Sequence, residues 1–355
     1  MDLRVFILGA TGYIGSQFLF DLSRSGTAKR LHIRALVRAL TPEKEAQLKE
    51  ICSSLQPVEG SLKDEDLIQE EASQADLVVN CANNSDWPSI RSILAGLEKR
   101  SSQQPGNPPL YIHISGIGII SDNCRGEAVE FKEYTDVDLR LEDLPKTNVH
   151  MDCDIAVVQA GTRKENPVRT IMIFPGWVYG VGEGIQKITV AYRTFLELAN
   201  KAGFVGTWGK GLNGISNIHV KDVSSAMLVL LDAALDRKVG AVGAGADNLY
   251  FVTSSEKVIL YHELMAKLGD IMYHEGAVKS PGSRPFPDEV VAPFGEVGWS
   301  MLGGNERARS DRLANLGWEP VETRKKPVLE SLPEEVVVIL KEMRSKDHIV
   351  EETPK

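Results

Sequence analysis

"LRVFILGATGYIG", residues 3 to 15, decides the fold. An unbroken apolar run from Val5 to Leu8 ends on Gly9, and glycines recur at positions 12 and 15. The stretch Tyr13 to Ser25 then places Ile14, Phe18, Leu19 and Leu22 on one helical face. A buried strand that turns through glycines into a helix is a natural anion site. The glycines let the chain turn tightly and let a pyrophosphate approach the helix N-terminus, where free N–H groups and the helix dipole favour negative charge. Glycines at this spacing also make plain turns, so the position of the turn has to carry the reading.

Outward from that turn the same alternation continues. "LHIRALV" reads as a second strand, and the helix after it opens at Thr41-Pro42, a cap residue followed by proline at the first helical position. "QPVEG", "ADLVVNCA" and "LYIHISG" read as strands three to five, the last after the linker "RSSQQPGNPP". His150 to Lys164 reads as a helix and "VRTIMIFPG" as strand six. Strands separated by helices imply parallel crossovers, hence an α/β fold with a doubly wound, Rossmann-type parallel sheet. Beyond Gly176 the rhythm breaks, and a smaller C-terminal substrate lobe is expected. The boundaries that follow are 1–175 and 216–244 for the NAD(P)-binding domain, 176–215 and 245–345 for the lobe, and 346–355 for a polar, disordered tail.

The bulk composition narrows the function classes. The chain has 355 residues, 43% hydrophobic and 25% charged, which suits a globular domain with a sizeable core. A net charge of −9 argues against nucleic-acid binding, which needs clustered Lys and Arg. No apolar run is long enough to span a membrane, and the chain opens directly on its first strand. Cys52, Cys81, Cys124 and Cys153 show no C-x-x-C spacing and read as reduced thiols, so a cytoplasmic protein is expected. No His/Cys/Asp/Glu cluster has metal-ligand spacing.

The end of the second strand bears on cofactor choice. NAD-specific folds place an acid there to hold the adenosine ribose. This strand ends "RALVRALTPEK", with Arg38 and no acid before Glu43. A guanidinium suits a ribose 2′-phosphate, so NADP(H) is favoured over NAD(H), unless Arg38 is only a solvated surface residue.

"GATGYIG" (9–15), "FPGWVYGVG" (174–182), "NIHVKDVSSAML" (217–228) and "LGWEP" (316–320) together resemble the extended and NmrA-like atypical short-chain dehydrogenase/reductases, a group that includes nucleoside-diphosphate-sugar epimerases. The resemblance implies NAD(P)-dependent chemistry on a small molecule held between two lobes. It assigns Gly9, Thr11, Gly12, Tyr13, Ile14 and Gly15 to the pyrophosphate and Arg38 to the adenosine ribose. Ser61 and Leu62 fall beside the adenine, Ala82 and Asn83 beside the ribose, and Pro175 and Val178 on the nicotinamide.

The catalytic pattern departs from that family. Its usual Tyr-x-x-x-Lys pair falls on His150 and Asp154, and its serine on Ser115 or, in a stricter register, Gly116. At i and i+4 on one helix face, His150 and Asp154 are expected to meet, and an ionised Asp154 would raise the pKa of His150. A carboxylate where the family carries an ammonium also disfavours an alkoxide on the substrate. Three readings stand: an oxidoreductase using His150 as its proton donor, a non-redox isomerase, cyclase or lyase using His150 and Asp154, or a cofactor-sensing regulator without turnover. The pair could also be no more than a surface ion pair of small energetic value.

Aromatic residues suggest the substrate. Trp177, Tyr179 and Trp208 are expected to line a cleft for a hydrophobic or aromatic small molecule, though core packing explains them equally. The segment 121–148 is long for a loop and reads as a lid, with Tyr134 as a phenol that could reach inward, and its acidic excess argues against an anionic substrate. Arg307 and Arg309 could bind a substrate anion, and His219 reads as structural.

Overall fold

The apolar runs become strands because alternate residues of each are buried on both faces, which only a sheet covered by helices on each side allows. The structure is a computed structural model, described for residues 2–236, 242, 247–254 and 258–351, with the backbone alone from 343 onward. Its main sheet comprises β1 (Leu3–Leu8), β2 (Leu31–Val37), β3 (Gln56–Glu59), β4 (Leu77–Asn80), β5 (Leu110–Ile114), β6 (Arg169–Pro175) and β7 (Leu249–Val252). The spatial order is β7-β6-β5-β4-β1-β2-β3, parallel throughout. The order reverses at β1, between β4 and β2, which is where a doubly wound sheet opens a crevice at its carboxyl ends.

Helices α1 (Tyr13–Arg24), α2 (Pro42–Ile51), α3 (Glu65–Gln74), α4 (Trp87–Gln103) and α5 (Met151–Thr162) follow the strands. Thr41 caps α2 as expected, its hydroxyl accepting from the Lys44 amide at 3.3 Å. One face of the sheet packs Val5, Ile7, Phe18, Leu19 and Leu22 with the helix Val220–Asp236; the other packs Phe6, Leu8, Ile90, Ile93 and Val157. Each such side chain, fully buried, contributes about 1.5–3 kcal/mol. A third core, built on Tyr192, Phe195, Trp208, Tyr261 and Leu264, belongs to the smaller lobe.

Three expectations change. Residues 249–252 were assigned to the lobe by the loss of strand–helix rhythm, yet they pair with Met172–Pro175 as the edge strand of the main sheet. The boundary at 244 lies outside the described residues. The terminal helix Val328–Glu351 continues into the segment expected as a tail, and residues 352–355 lie outside the described residues. The long segment 121–148 is stapled rather than lid-like. Gly126 N donates to Gly303 O at 2.7 Å, Tyr134–Thr135 pairs with Ala308–Arg309, and the buried Asp136 carboxylate accepts from the amides of Phe251 and Arg312. Those bonds satisfy a run of backbone that would otherwise be free to swing.

Candidate active site

The turn after β1 is a cradle that tolerates no side chain at Gly9 or Gly15. Gly9 sits at φ +82°, and a Cβ there would lie 2.6 Å from the Cys81 carbonyl. A Cβ on Gly15 would lie 2.1 Å from Gly9 O, and Gly12 N donates to Gly9 O at 2.9 Å. Beneath this turn opens a cavity of about 630 Å³, lined by Gly9, Thr11 and Gly12, by Ser61 and Leu62, by Cys81 and Ala82, and by Arg38 and Lys63. These residues fit a nicotinamide dinucleotide: a backbone cradle at a helix N-terminus for the pyrophosphate, an apolar floor, and two cations at the adenosine end.

Some predicted contacts are refined. Arg38 is exposed and makes no side-chain hydrogen bond or ion pair among the described residues. Lys63, which the sequence reading passed over, shares its end of the cavity. The Ser61 hydroxyl is already engaged, donating to Asp64 Oδ2 at 2.8 Å, and with the Ser61 amide it holds the Asp64 carboxyl below its usual pKa. Asn83 does not line the cavity; its carboxamide oxygen accepts from Ser85 N at 3.0 Å and shapes the turn after β4.

Cys81 and Gln186 also line a second cavity, of about 470 Å³, which carries the space on toward the smaller lobe. Tyr13 and Ile14 form one wall, Ser115 and Gly116 the end of β5, and Pro175, Trp177 and Val178 the wall after β6. Burial pushes the Cys81 thiol up to about 12, which leaves it an apolar wall rather than a nucleophile. Trp177 is held by stacking on Phe195, with centroids 5.7 Å apart. The other aromatic candidates do not reach this cleft. Trp208 is fully buried between Phe286 and Phe294; Tyr179 is fully buried, its hydroxyl donating to Lys326 O; and Tyr134 lies under Lys132. Trp208 and Tyr179 are taken up by the apolar core of the lobe, whereas Tyr134 sits half-exposed against the edge of the main-sheet core. Arg307 and Arg309 are paired with Glu133 and Asp311 on the surface and do not line the cleft.

The corner at the end of β5 holds the three residues the sequence points to, but not in the expected pairing. His150 is not inside the helix. It precedes α5 in a left-handed conformation (φ +73°), so its side chain leaves the face on which Asp154 lies. Its Nδ1 shares a hydrogen bond of 2.7 Å with Ser85 Oγ. Its Nε2 lies 3.2 Å from where a Cβ on Gly116 would stand. A serine in the stricter register would crowd the imidazole; glycine leaves it room. The expected rise in the His150 pKa is overturned. Burial lowers it to about 4, and Asp154 supplies no compensating charge.

Asp154 is fully buried, and Ser115 is the group that meets it: Ser115 Oγ and Asp154 Oδ2 are 2.7 Å apart. Burial raises the Asp154 pKa to about 8, only partly offset by the Ser115 bond, so the carboxyl is neutral at pH 7. That overturns the expectation of a fixed negative charge beneath the reacting centre. Behind it stands His113, a residue the sequence reading did not single out. Its Nε2 faces Asp154 Oδ1 across 3.7 Å, and both atoms are otherwise unpartnered. Its Nδ1 meets the Tyr111 hydroxyl at 2.9 Å, which in turn accepts from Asn80 Nδ2 at 3.3 Å. Asn80 Oδ1 accepts from the Ala82 amide, which fixes the carboxamide's orientation. The alternating "YIHIS" of β5 could have revealed this file, since Tyr111, His113 and Ser115 share one face of the strand. No group of three or more His, Cys, Asp or Glu among the described residues could hold a metal. No helix among them is long and apolar enough to cross a membrane.

Comparison with known proteins agrees with this architecture. Residues 5–93 match the model of the NAD dependent epimerase/dehydratase family. The chain is 28% identical over 337 residues to the oxidase ucsJ of Acremonium sp, spanning 90% of this chain and 94% of that protein. It is 26% identical over 260 residues to a dTDP-4-dehydro-6-deoxy-D-allose reductase of Streptomyces sp, spanning 68% of this chain and 76% of that one. Among solved structures, UDP-glucuronic acid 4-epimerase from Bacillus cereus superposes with a TM-score of 0.61 at 14% identity, covering 96% of this chain and 99% of its own. The dTDP-glucose 4,6-dehydratase from Bacillus anthracis, solved with NAD, gives 0.61 at 16% identity, covering 93% and 95%. Over residues 5–93 and in its fold, the chain is similar to the extended, nucleoside-diphosphate-sugar-epimerase-like short-chain dehydrogenase/reductases. Within that class the relatives support an oxidoreductase that uses a nicotinamide dinucleotide.

Proposed function

We propose that this protein is an NADP(H)-dependent oxidoreductase that oxidises a hydrophobic or aromatic small molecule, with His150 as the base and Ser115 as the group that holds the reacting atom. The observation that carries the reading is the position of His150, held by Ser85 in a cleft continuous with the glycine cradle. When bound, the cofactor supplies hydride acceptance at its nicotinamide C4. His150 Nδ1 is held by Ser85, whose hydroxyl can donate onward to Asn84 Oδ1 at 3.4 Å. In that arrangement Nδ1 carries the ring proton and Nε2 presents a lone pair to the cleft, ready to take a proton from the substrate. Asn80 and Tyr111 hold His113, whose Nε2 stands 3.7 Å from Asp154, too far for a hydrogen bond. A neutral Asp154 donates to Ser115 Oγ and frees the Ser115 O–H for a substrate atom.

The cleft also supports the substrate class. Its lining contains Ile117, Trp177, Met301 and Leu302 and, among the described residues, no Lys or Arg. The sugar-nucleotide neighbours in fold act on diphosphates, and a diphosphate would find no cation in this lining. The isomerase reading that relied on a paired His150 and Asp154 loses its support, because the two side chains bond to different partners.

The test is spectrophotometric. Wild-type protein with NADP⁺ and a panel of aryl-substituted secondary alcohols and amines should produce NADPH. His150→Ala should lower that rate by about 10²–10⁴-fold while leaving NADP⁺ affinity unchanged. Product formed without any change in cofactor redox state would overturn the reading in favour of a non-redox enzyme. A large affinity difference between NADPH and NADP⁺ with no turnover would favour a sensor.

A further inference from the structure

Glu306 is a carboxyl the chemistry above does not use. It is 7% exposed, yet it lines the substrate cleft opposite the catalytic corner. Its backbone is fixed on both sides, the amide donating to Gly214 O and the carbonyl accepting from Ser216 N, each at 2.9 Å. Its side chain therefore projects from a rigid bridge rather than a loose loop. Its Oε1 stands 3.5 Å from the Cβ position of Gly118, on the loop that also carries Gly116 beneath His150. Among the described residues no hydrogen bond or ion pair reaches its carboxyl. The carboxyl opens onto the cleft, so the donor it lacks within the protein can come from a ligand there.

The surroundings say which occupant. Asp122 lies near Glu306, its oxygens occupied by Asn305 N and Nδ2, each at 2.8 Å, and by the Cys124 amide at 3.1 Å. Glu306 thus meets a cleft whose lining, among the described residues, holds no Lys or Arg, so no cation of the protein competes with an incoming one for this carboxyl. A cation reaching Glu306 would supply the missing counter-charge in a mostly apolar site, where a charge-assisted hydrogen bond is stronger than in water. We propose that Glu306 anchors a protonated nitrogen of the substrate, making this a cleft for a hydrophobic amine. The inference rests on the reading of this cavity as the substrate site. With the cleft empty, burial and Asp122 hold the Glu306 carboxyl well above its usual pKa, and the incoming ammonium supplies the charge that lets it ionise.

Three probes on one benzyl scaffold test it: phenethylamine, phenethyl alcohol and phenylacetate, each titrated by calorimetry into the protein with and without NADP⁺. The amine should bind about tenfold or more tightly than the alcohol, the advantage of one charge-assisted contact, and the acetate weakest. Glu306→Gln should remove the amine's advantage while leaving alcohol and NADP⁺ affinities unchanged. Glu306→Asp, which keeps the charge, should retain part of it. Equal amine and alcohol affinities in the wild type, or an amine preference that survives Glu306→Gln, would overturn the proposal. Failure of NADP⁺ to bind would instead break the cofactor reading, and the amine preference of the cofactor-free protein would still decide Glu306.

Discussion

The two cavities that meet at Cys81 and Gln186 are built by opposite means. The cofactor cavity is shaped by backbone: three glycines fold the turn so tightly that a methyl group would strike a carbonyl oxygen. The substrate cleft is shaped by side chains from distant segments, with Ser115 from the end of β5, His150 from ahead of α5, Trp177 after β6 and Glu306 from the smaller lobe. A backbone site depends on local residues and is indifferent to charge state. A side-chain site depends on what burial does to each ionisable group, and here burial leaves His150 and Asp154 both neutral at pH 7. The first kind of site breaks on a single methyl; the second can be retuned without moving an atom.

Gly15→Ala should show the first property at full scale. Its Cβ would sit 2.1 Å from Gly9 O, a backbone atom with nowhere to go. The expected outcome is no detectable NADPH binding by calorimetry, together with a lower melting temperature. A variant that folds and binds normally would remove the glycine turn from the site.

Trp208→Ala sharpens the contrast from the other side. This residue looked like a cleft aromatic but is enclosed by Phe286 and Phe294. Truncation should cost about 3–5 kcal/mol in chemical denaturation, the range for a large aromatic leaving a cavity. NADPH affinity should stay within error of wild type. A selective loss of ligand binding with unchanged stability would restore Trp208 to the cleft.

Asp154→Asn tests whether the buried carboxyl is neutral. Its pKa is raised from the usual carboxylate value to about 8 in the folded protein. Between those values the unfolded chain has released this proton and the folded chain keeps it. The folded state therefore loses stability as pH rises toward 8, at most about 1.4 kcal/mol per pH unit from this group. Asparagine cannot ionise, so the difference in melting temperature, variant minus wild type, should grow steadily more positive from pH 5 to pH 8. A difference that stays flat over that interval would mean Asp154 is ionised, as the sequence alone suggested. The lowered pKa values of His113 and His150 act in the opposite sense at more acid pH, but they are common to both proteins apart from their coupling to this site.

These cases explain why the sequence was legible in some places and not in others. Strands β1 to β6, the glycine turn and the Thr41 cap depend on neighbours within a few residues, so periodicity and spacing reveal them. The edge strand Leu249–Val252 was missed because nothing local distinguishes a strand that joins the main sheet from one that stays in a lobe. For His150 and Asp154 the expected partnership fails, because each bonds to another residue. The i to i+4 argument holds only inside a helix, and His150, at φ +73°, is outside it. The roles of His113 and Glu306 come from burial against segments far away in the chain, which no local pattern records.

Arg38→Ala is the finest probe of the comparison, because it touches the part of this cavity that is made by cationic side chains rather than backbone. Arg38 and Lys63 flank the adenosine end, and no acid closes β2. A charge-assisted hydrogen bond to a ribose 2′-phosphate is worth about 1.5–3 kcal/mol, so the variant should bind NADPH about 10–100-fold more weakly. NADH, which lacks that phosphate, should bind the variant and the wild type alike. Lys63→Ala should act in the same direction and less strongly, since a flexible ammonium offers a single point contact where guanidinium offers two. Raising the salt concentration should narrow both differences, because these cations are exposed to solvent. Equal losses for NADPH and NADH would mean that Arg38 serves the pyrophosphate or the fold instead, and the preference for the phosphorylated cofactor would have to be sought elsewhere in the chain.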